Sequence, residues 1–197
     1  MNDPDVIRPT HFADQVHDTQ AVFRVAMQAF SRPGQLQRLE VALDSFGNWD
    51  PGTVALLLTL CDFETNVLLE PDDGEFASYL KLHTGAQIVS DRSAADFVAV
   101  TEPEPEYGFE HLRIGTDETP HLSATLLLQV KSFQNGTPVR LSGPGIKGST
   151  TLLVKGLSSG FFERRSSFRF PRGVDIFFIA NQQLVGLPRT TIAEVKY

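Results

Sequence analysis

The sequence predicts an α/β protein, a three-layer α/β/α arrangement of helices on a mixed sheet, and three observations carry that expectation. Residues 124–130, ATLLLQV, and 175–180, DIFFIA, are near-continuous apolar runs, as strands buried on both faces read. Helical patterns alternate with short strand-like runs through the first half of the chain. The second half instead carries hairpin-like pairs, which make the sheet mixed rather than wholly parallel. At 197 residues the chain can hide about 70% of its unfolded surface, and with 41% hydrophobic and 21% charged residues it suits one core. A single domain is expected over residues 1–197, with 1–17 as a flexible or extended N-terminal segment.

The elements follow in order. Asp18 or Thr19 can cap a helix whose apolar positions Val22, Phe23, Ala26, Met27 and Phe30 recur at helical spacing, and Pro33-Gly34 ends it. Leu39, Val41 and Leu43 alternate with Glu40 and Ala42, the pattern of a half-buried strand. Asp50-Pro51 opens a second helix, with Asp50 as cap and Pro51 at the first helical position, running through Val54, Leu57, Leu58 and Cys61. Asn66–Leu69 reads as a strand. Phe76, Tyr79, Leu80 and Leu82 mark a third helix that Gly85 stops in a left-handed cap. Ile88–Ser90 and Phe97–Val100 are further strands, and TEPEPE at residues 101–106 is a surface loop. Residues 124–130 are the candidate central strand. Val139–Leu141 enters a glycine-rich turn, Phe161–Arg165 is helical, and Asp175–Ala180 turns at Asn181-Gln182 into Leu184–Leu187.

Composition excludes several classes of function. Cys61 is the single cysteine, so no internal disulfide and no cysteine-based zinc or iron-sulfur site can form within the chain. No apolar run approaches the ~20 residues of a membrane helix, and residues 1–9, MNDPDVIRP, lack the basic start and apolar stretch of an export signal. A cytoplasmic protein is expected. The formal net charge of -7 gives no long-range attraction to a phosphate backbone, so neither nucleic acid nor membrane is expected as a partner. One basic, aromatic stretch stands out: Arg164, Arg165, Arg169 and Arg172 beside Phe161, Phe162, Phe168 and Phe170. It suits a protein interface or plain surface, and the alternative is a site for single strands or anions.

The motifs of the commonest enzyme classes are missing: no phosphate loop of the Walker type, no G-x-G-x-x-G, no G-x-S-x-G and no H-E-x-x-H. Histidines 11, 17, 83, 111 and 121 show no metal-ligand spacing, and Cys61 on an apolar helix face reads as structural. No catalytic residue and no metal ligand is assigned. Two segments carry ligand-binding chemistry. Arg140-Leu-Ser-Gly-Pro-Gly-Ile-Lys147 follows a strand, and Ser142, Gly143 and Gly145 read either as an anion-binding nest of backbone N–H groups or as a tight turn. Pro188-Arg189-Thr190-Thr191 places an arginine and two hydroxyls at a strand end, either a ligand site or the start of an edge strand. The expectation is that Arg140, Ser142, Gly143, Gly145, Arg189, Thr190 and Thr191 converge on one site for a phosphate, a phosphonate or an acidic side chain.

An ordered set of segments resembles the PhnH family of the bacterial carbon-phosphorus lyase system. It comprises Phe23-Arg24 with Ser31-Arg-Pro-Gly34, Leu57-Leu-Thr-Leu60 with Asp62 and Thr65, and Leu80-Lys-Leu-His-Thr-Gly-Ala86 with Val89-Ser90. It continues through Ala124-Thr-Leu126, Leu128-Gln-Val130, Arg140–Ile146, Phe170-Pro-Arg-Gly-Val-Asp175 and Leu187-Pro-Arg-Thr-Thr191. The resemblance implies a fold related to the pyridoxal-phosphate-dependent transferases without their cofactor. None of the lysines, Lys81, Lys131, Lys147, Lys155 and Lys196, sits in a recognisable Schiff-base setting, and no cofactor is expected. It also implies a homodimer associated with the other subunits of the lyase core complex. With them the protein would support displacement of adenine from a nucleoside triphosphate by an alkylphosphonate. A non-catalytic or accessory subunit is thus the leading reading, beside a free-standing enzyme on a phosphorylated small molecule and an anion-binding regulator.

Overall fold

The protein is described here from a computed structural model covering residues 11–195. Of the segment 1–17, expected as flexible or extended, residues 1–10 lie outside that range and residues 15–17 are helical. Helix α1 spans Gln15–Ser31, and its cap is Asp14, whose carboxylate accepts from the Val16 and His17 amides. The helix therefore starts ahead of the expected Asp18 or Thr19. Its buried stripe is Val22, Ala26 and Ala29, while Phe23 and Met27 face outward. Small residues win that stripe because α1 lies against a strand at Gly186, where a side-chain carbon would stand 2.5 Å from the Ala29 carbonyl oxygen.

The next strand, β1, is only Gln37–Arg38. Leu39, Val41 and Leu43 are buried in alternation, as the pattern predicts, yet beyond Arg38 the segment forms no ladder. Alternation reports which side chains are covered, not whether the backbone has a strand partner. Helix α2 (Pro51–Leu60) begins where predicted, the Asp50 carboxylate accepting from the Gly52 amide, and Val54–Leu57 are wholly buried. Strand β2 (Asn66–Glu70), helix α3 (Gly74–Thr84) with Gly85 at φ 77, β3 (Gln87–Ile88) and β4 (Phe97–Val100) follow. The remainder is β5 (Thr125–Gln129), β6 (Ser132–Ser142), β7 (Thr150–Lys155), α4 (Ser159–Ser166), β8 (Asp175–Ala180), β9 (Gln183–Leu187) and β10 (Ile192–Val195).

Seven strands form one mixed sheet in the order β1-β9-β8-β5-β4-β2-β3. β3, β2, β4, β5 and β8 run parallel, and β9 returns antiparallel beside β8 through the Asn181-Gln182 turn. β5 is the middle strand, as its sequence predicts, with Leu127 registered against Ala99 on one side and Phe177 on the other. Leu127, Phe177, Ile179, Val67 and Leu69 face α1, α2 and α3 in one core. Each fully buried large side chain there stabilises the fold by roughly 1.5–3 kcal/mol.

The opposite face corrects the expected α/β/α layering. Leu126, Leu128, Ile176 and Phe178 pack there against an antiparallel sheet, β10-β6-β7, and the short helix α4. The reason is visible in β7, TTLLVK, where Leu152 and Val154 are buried and Thr151, Leu153 and Lys155 exposed. That period of two builds a half-covered strand, not a helix.

Candidate ligand-binding cavity

Strand direction decides what stands at each edge of the large sheet. The carboxyl ends of β4, β5 and β8 open onto a crevice of about 450 Å³ lined by Asp50, Thr101, Glu102, Glu104, Lys131 and Asn181 among others. An adjoining hollow of about 420 Å³, which shares Thr101, is lined by Trp49, Asp72 and Asp73. This is the edge at which open α/β sheets commonly bind ligands. Two of its acidic groups have structural duties: Asp50 caps α2 and also accepts from the Gln182 amide, and Asp73 accepts from the Phe76 amide and the Trp49 indole. Those two donors hold the Asp73 carboxyl below its usual range.

The amino end of β8 carries a different cavity, of about 270 Å³, between α4, the 168–174 loop and residues 189–192. β9 is antiparallel, so its end at Leu187 lies beside Asp175, the start of β8. Pro188-Arg189-Thr190-Thr191 thus stands at the edge opposite the one the strand-end rule addresses. Arg189 grips both Asp175 oxygens, Nη2 to Oδ2 at 2.6 Å and Nε to Oδ1 at 3.3 Å, and also donates to the Pro120 carbonyl. Its own amide donates to Asp175 Oδ1 at 2.7 Å. The Arg189 fork is therefore engaged within the chain.

Arg165 forms the inner wall. It projects from α4, is only 5% exposed, and donates from Nη1 to the Thr191 carbonyl at 2.9 Å and from Nη2 to the Pro188 carbonyl at 2.5 Å. Among the described residues it makes no ion pair with a carboxylate. Burial lowers its pKa to about 10 against the opposing pull of the Asp175 charge, and the group stays charged at neutral pH. Its Nε and the buried Thr191 hydroxyl have no hydrogen-bond partner among the described residues. Phe168, Phe170 and Ile192 line the cavity as apolar neighbours, Phe170 being 69% and Ile192 57% exposed, and Arg172 lines it while pairing with Asp117 at 3.3 Å.

The structure therefore brings together some of the residues singled out from sequence and not others. Arg189, Thr190 and Thr191 line the cavity. Gly143 lies behind them, where a side-chain carbon would stand 3.0 Å from the Thr190 carbonyl, and Gly145 would meet the Ser31 carbonyl at 2.5 Å. Both glycines have positive φ, so this segment is a turn packed between the end of α1 and the 190–191 backbone. Ser142 is registered against Ile192, and Arg140 pairs with Glu194 at 3.7 Å, where both side chains are half exposed. Neither lines the cavity. Arg165, Phe168, Phe170 and Arg172 were not among the site residues expected, although the density of arginine and phenylalanine in this stretch had singled it out. An interface reading of the whole stretch fails on Phe161 and Phe162, both fully buried in the core, and on Arg165.

The described residues contain no histidine, cysteine and carboxylate cluster able to hold a metal ion. Burial pushes the Cys61 thiol up, which makes it a poor nucleophile. None of the helices among the described residues is long and apolar enough to cross a membrane.

Fold and site together define a mixed α/β protein with an arginine-lined cavity at one sheet edge. The family model for the bacterial phosphonate metabolism protein PhnH matches residues 10–194, and the chain belongs to that family. It is 35% identical over 187 residues to "Alpha-D-ribose 1-methylphosphonate 5-triphosphate synthase subunit PhnH" of Rhizobium meliloti (strain 1021), covering 93% of this chain and 94% of that protein. It is 31% identical over 184 residues to "Putative C-P lyase subunit protein HtxG" of Stutzerimonas stutzeri, covering 90% and 86%.

Proposed function

We propose that this chain is a cytoplasmic subunit of a carbon-phosphorus lyase core assembly, without a complete active site of its own. In this reading it supports the step in which an alkylphosphonate displaces adenine from ATP to give a ribose alkylphosphonate triphosphate. It pairs as a homodimer and binds the other core subunits, on a scaffold related to the pyridoxal-phosphate-dependent transferases that works without their cofactor. The observation that carries the reading is the alignment with a synthase subunit over 93% of this chain and 94% of that one, which leaves little of either protein outside the shared fold.

The test is to incubate the purified chain with ATP and methylphosphonate, alone and with the other core subunits, and to measure released adenine. Release is expected only from the assembled mixture, and omission of this chain alone should abolish it. Adenine release by the isolated chain would overturn the subunit reading in favour of a free-standing enzyme.

A further inference from the structure

We propose that the crevice at the carboxyl ends of β4, β5 and β8, with the hollow beside it, receives an extended basic segment of a partner protein, its lysine or arginine side chains set against Asp72, Glu102 and Glu104. That such a partner exists rests on the subunit reading, and the test of the crevice does without one.

Charge gives the direction. Asp50 and Asp73 are engaged at helix starts, but Asp72, Glu102 and Glu104, all exposed, enter no ion pair among the described residues. Lys131 is the one cation lining either hollow, and it too is in no ion pair there. The two hollows therefore keep a net negative charge on a chain whose own net charge is -7. A cleft lined by one sign of charge concentrates groups of the other sign.

Exposed carboxylates alone are well served by water, and Thr101 is what makes this surface a site. Only 7% exposed, it lines both hollows where they adjoin. Its amide donates to the Glu70 carbonyl at 3.0 Å, while its hydroxyl has no hydrogen-bond partner among the described residues and is not sealed from solvent as the Thr53 and Thr59 hydroxyls are. A hydroxyl both gives and accepts a hydrogen bond, so at this junction it suits a peptide group, which offers a donor and an acceptor. Lys131 and Asn181 add donors that peptide carbonyls can use and a bare polyamine cannot. The acidic wall is braced in advance: the Ser158 amide donates to the Pro105 carbonyl at 2.8 Å and the Tyr107 hydroxyl to the Glu70 carboxylate at 2.9 Å. Pro103 and Pro105 restrict the backbone between these ties, which lowers the cost of ordering Glu102 and Glu104 on binding. Shape favours a segment over a single cation, because Glu102 and Glu104 line one hollow of about 450 Å³ and Asp72 the adjoining one of about 420 Å³.

The full-length isolated chain is titrated calorimetrically in physiological salt with a capped hexapeptide of alternating lysine and glycine, its glutamate counterpart, and spermidine, which matches the lysine peptide in charge but has no peptide group. The lysine peptide should bind about threefold or more tighter than spermidine, as an added hydrogen bond allows, and the glutamate peptide should not bind. Glu102→Gln combined with Glu104→Gln should weaken the lysine peptide about fivefold or more. Glu64→Gln combined with Glu118→Gln removes the same charge from exposed positions ahead of β2 and β5, at the opposite edge, and should change affinity less than about twofold, because salt screens charges at that distance. Thr101→Val, nearly the same in shape, should weaken the lysine peptide about threefold or more. No binding of the lysine peptide by the unaltered chain, equal losses in the two double variants, spermidine binding as tightly as the peptide, or unchanged affinity for Thr101→Val would each overturn the proposal. Because no partner subunit takes part in these titrations, their failure would leave the adenine-release result untouched, and the crevice and the subunit role fall separately.

Discussion

The two edges of the seven-stranded sheet carry charge of opposite sign and use it differently. At the carboxyl edge Asp50 and Asp73 sit at the starts of α2 and α3, where each satisfies otherwise unpaired helix amides and the positive end of the helix dipole. Their negative charge is thus answered by backbone. At the amino edge Arg189 is gripped by Asp175, whose charge also acts on Arg165, while the hydrogen bonds that hold Arg165 go to two backbone carbonyls. Asp50 and Asp73 at the customary ligand edge thus serve the helix starts, whereas Arg165 at the other edge serves the backbone of residues 188–191.

Substitutions at the two edges should separate these roles. The largest expected effect is at Arg165→Ala, which removes packing and orphans the Pro188 and Thr191 carbonyls. Each orphaned group costs about 1–3 kcal/mol, so chemical denaturation should show a loss on the order of 2–5 kcal/mol, with faster amide exchange at residues 189–192. A loss as small as that of a surface substitution would mean that the arginine does not organise this edge. Next is Asp50→Ala, which removes a helix cap and the acceptor of the Gln182 amide; a loss of about 1–2 kcal/mol in chemical denaturation is expected. A loss under about 0.5 kcal/mol would show that neither the cap nor that acceptor matters at this edge.

Asp73→Asn should have a smaller effect with a defined pH dependence. Hydrogen bonds from Phe76 and Trp49 lower the Asp73 pKa in the folded state below its ordinary 3.8. The charged form therefore contributes stability that is complete above that ordinary value and is lost as pH falls through the lowered one. The parent should be the more stable at neutral pH and the difference should shrink in acid; a difference that grows in acid would reverse the assigned direction. Glu104→Gln, on the exposed loop of the same crevice, should change stability by less than about 0.5 kcal/mol in thermal melts.

How far these features could be read from sequence depends on whether their cause is local. Asp50-Pro51 and Gly85 are caps whose chemistry lies within a few residues, and both act as expected. The apolar run 124–130 marks the middle strand, because a strand covered on both faces has no polar alternation and seven residues are short for a buried helix. β7 has no signal of its own in the sequence, and β10 is foreshadowed only by the edge-strand alternative at Pro188–Thr191: each is short and half exposed, and its partner β6 supplies the pairing that makes it a strand. The site was legible only as composition. The Phe161–Arg172 stretch stood out, but that Phe161, Phe162 and Arg165 turn inward while Phe170 and Arg172 stay out follows from how α4 packs on the sheet. Arg189 drew attention as a strand-end arginine, and its engagement by Asp175, fourteen residues away, depends on the β8–β9 hairpin.

The proposed subunit role is tested most directly by co-expressing an affinity-tagged chain with the other proteins of a carbon-phosphorus lyase system and measuring the mass of what elutes. The expected result is a stable complex in which this chain is present in fixed ratio with those subunits through gel filtration. A tagged chain that elutes without them, at its own 21.8 kDa or as a dimer of itself, would contradict that role.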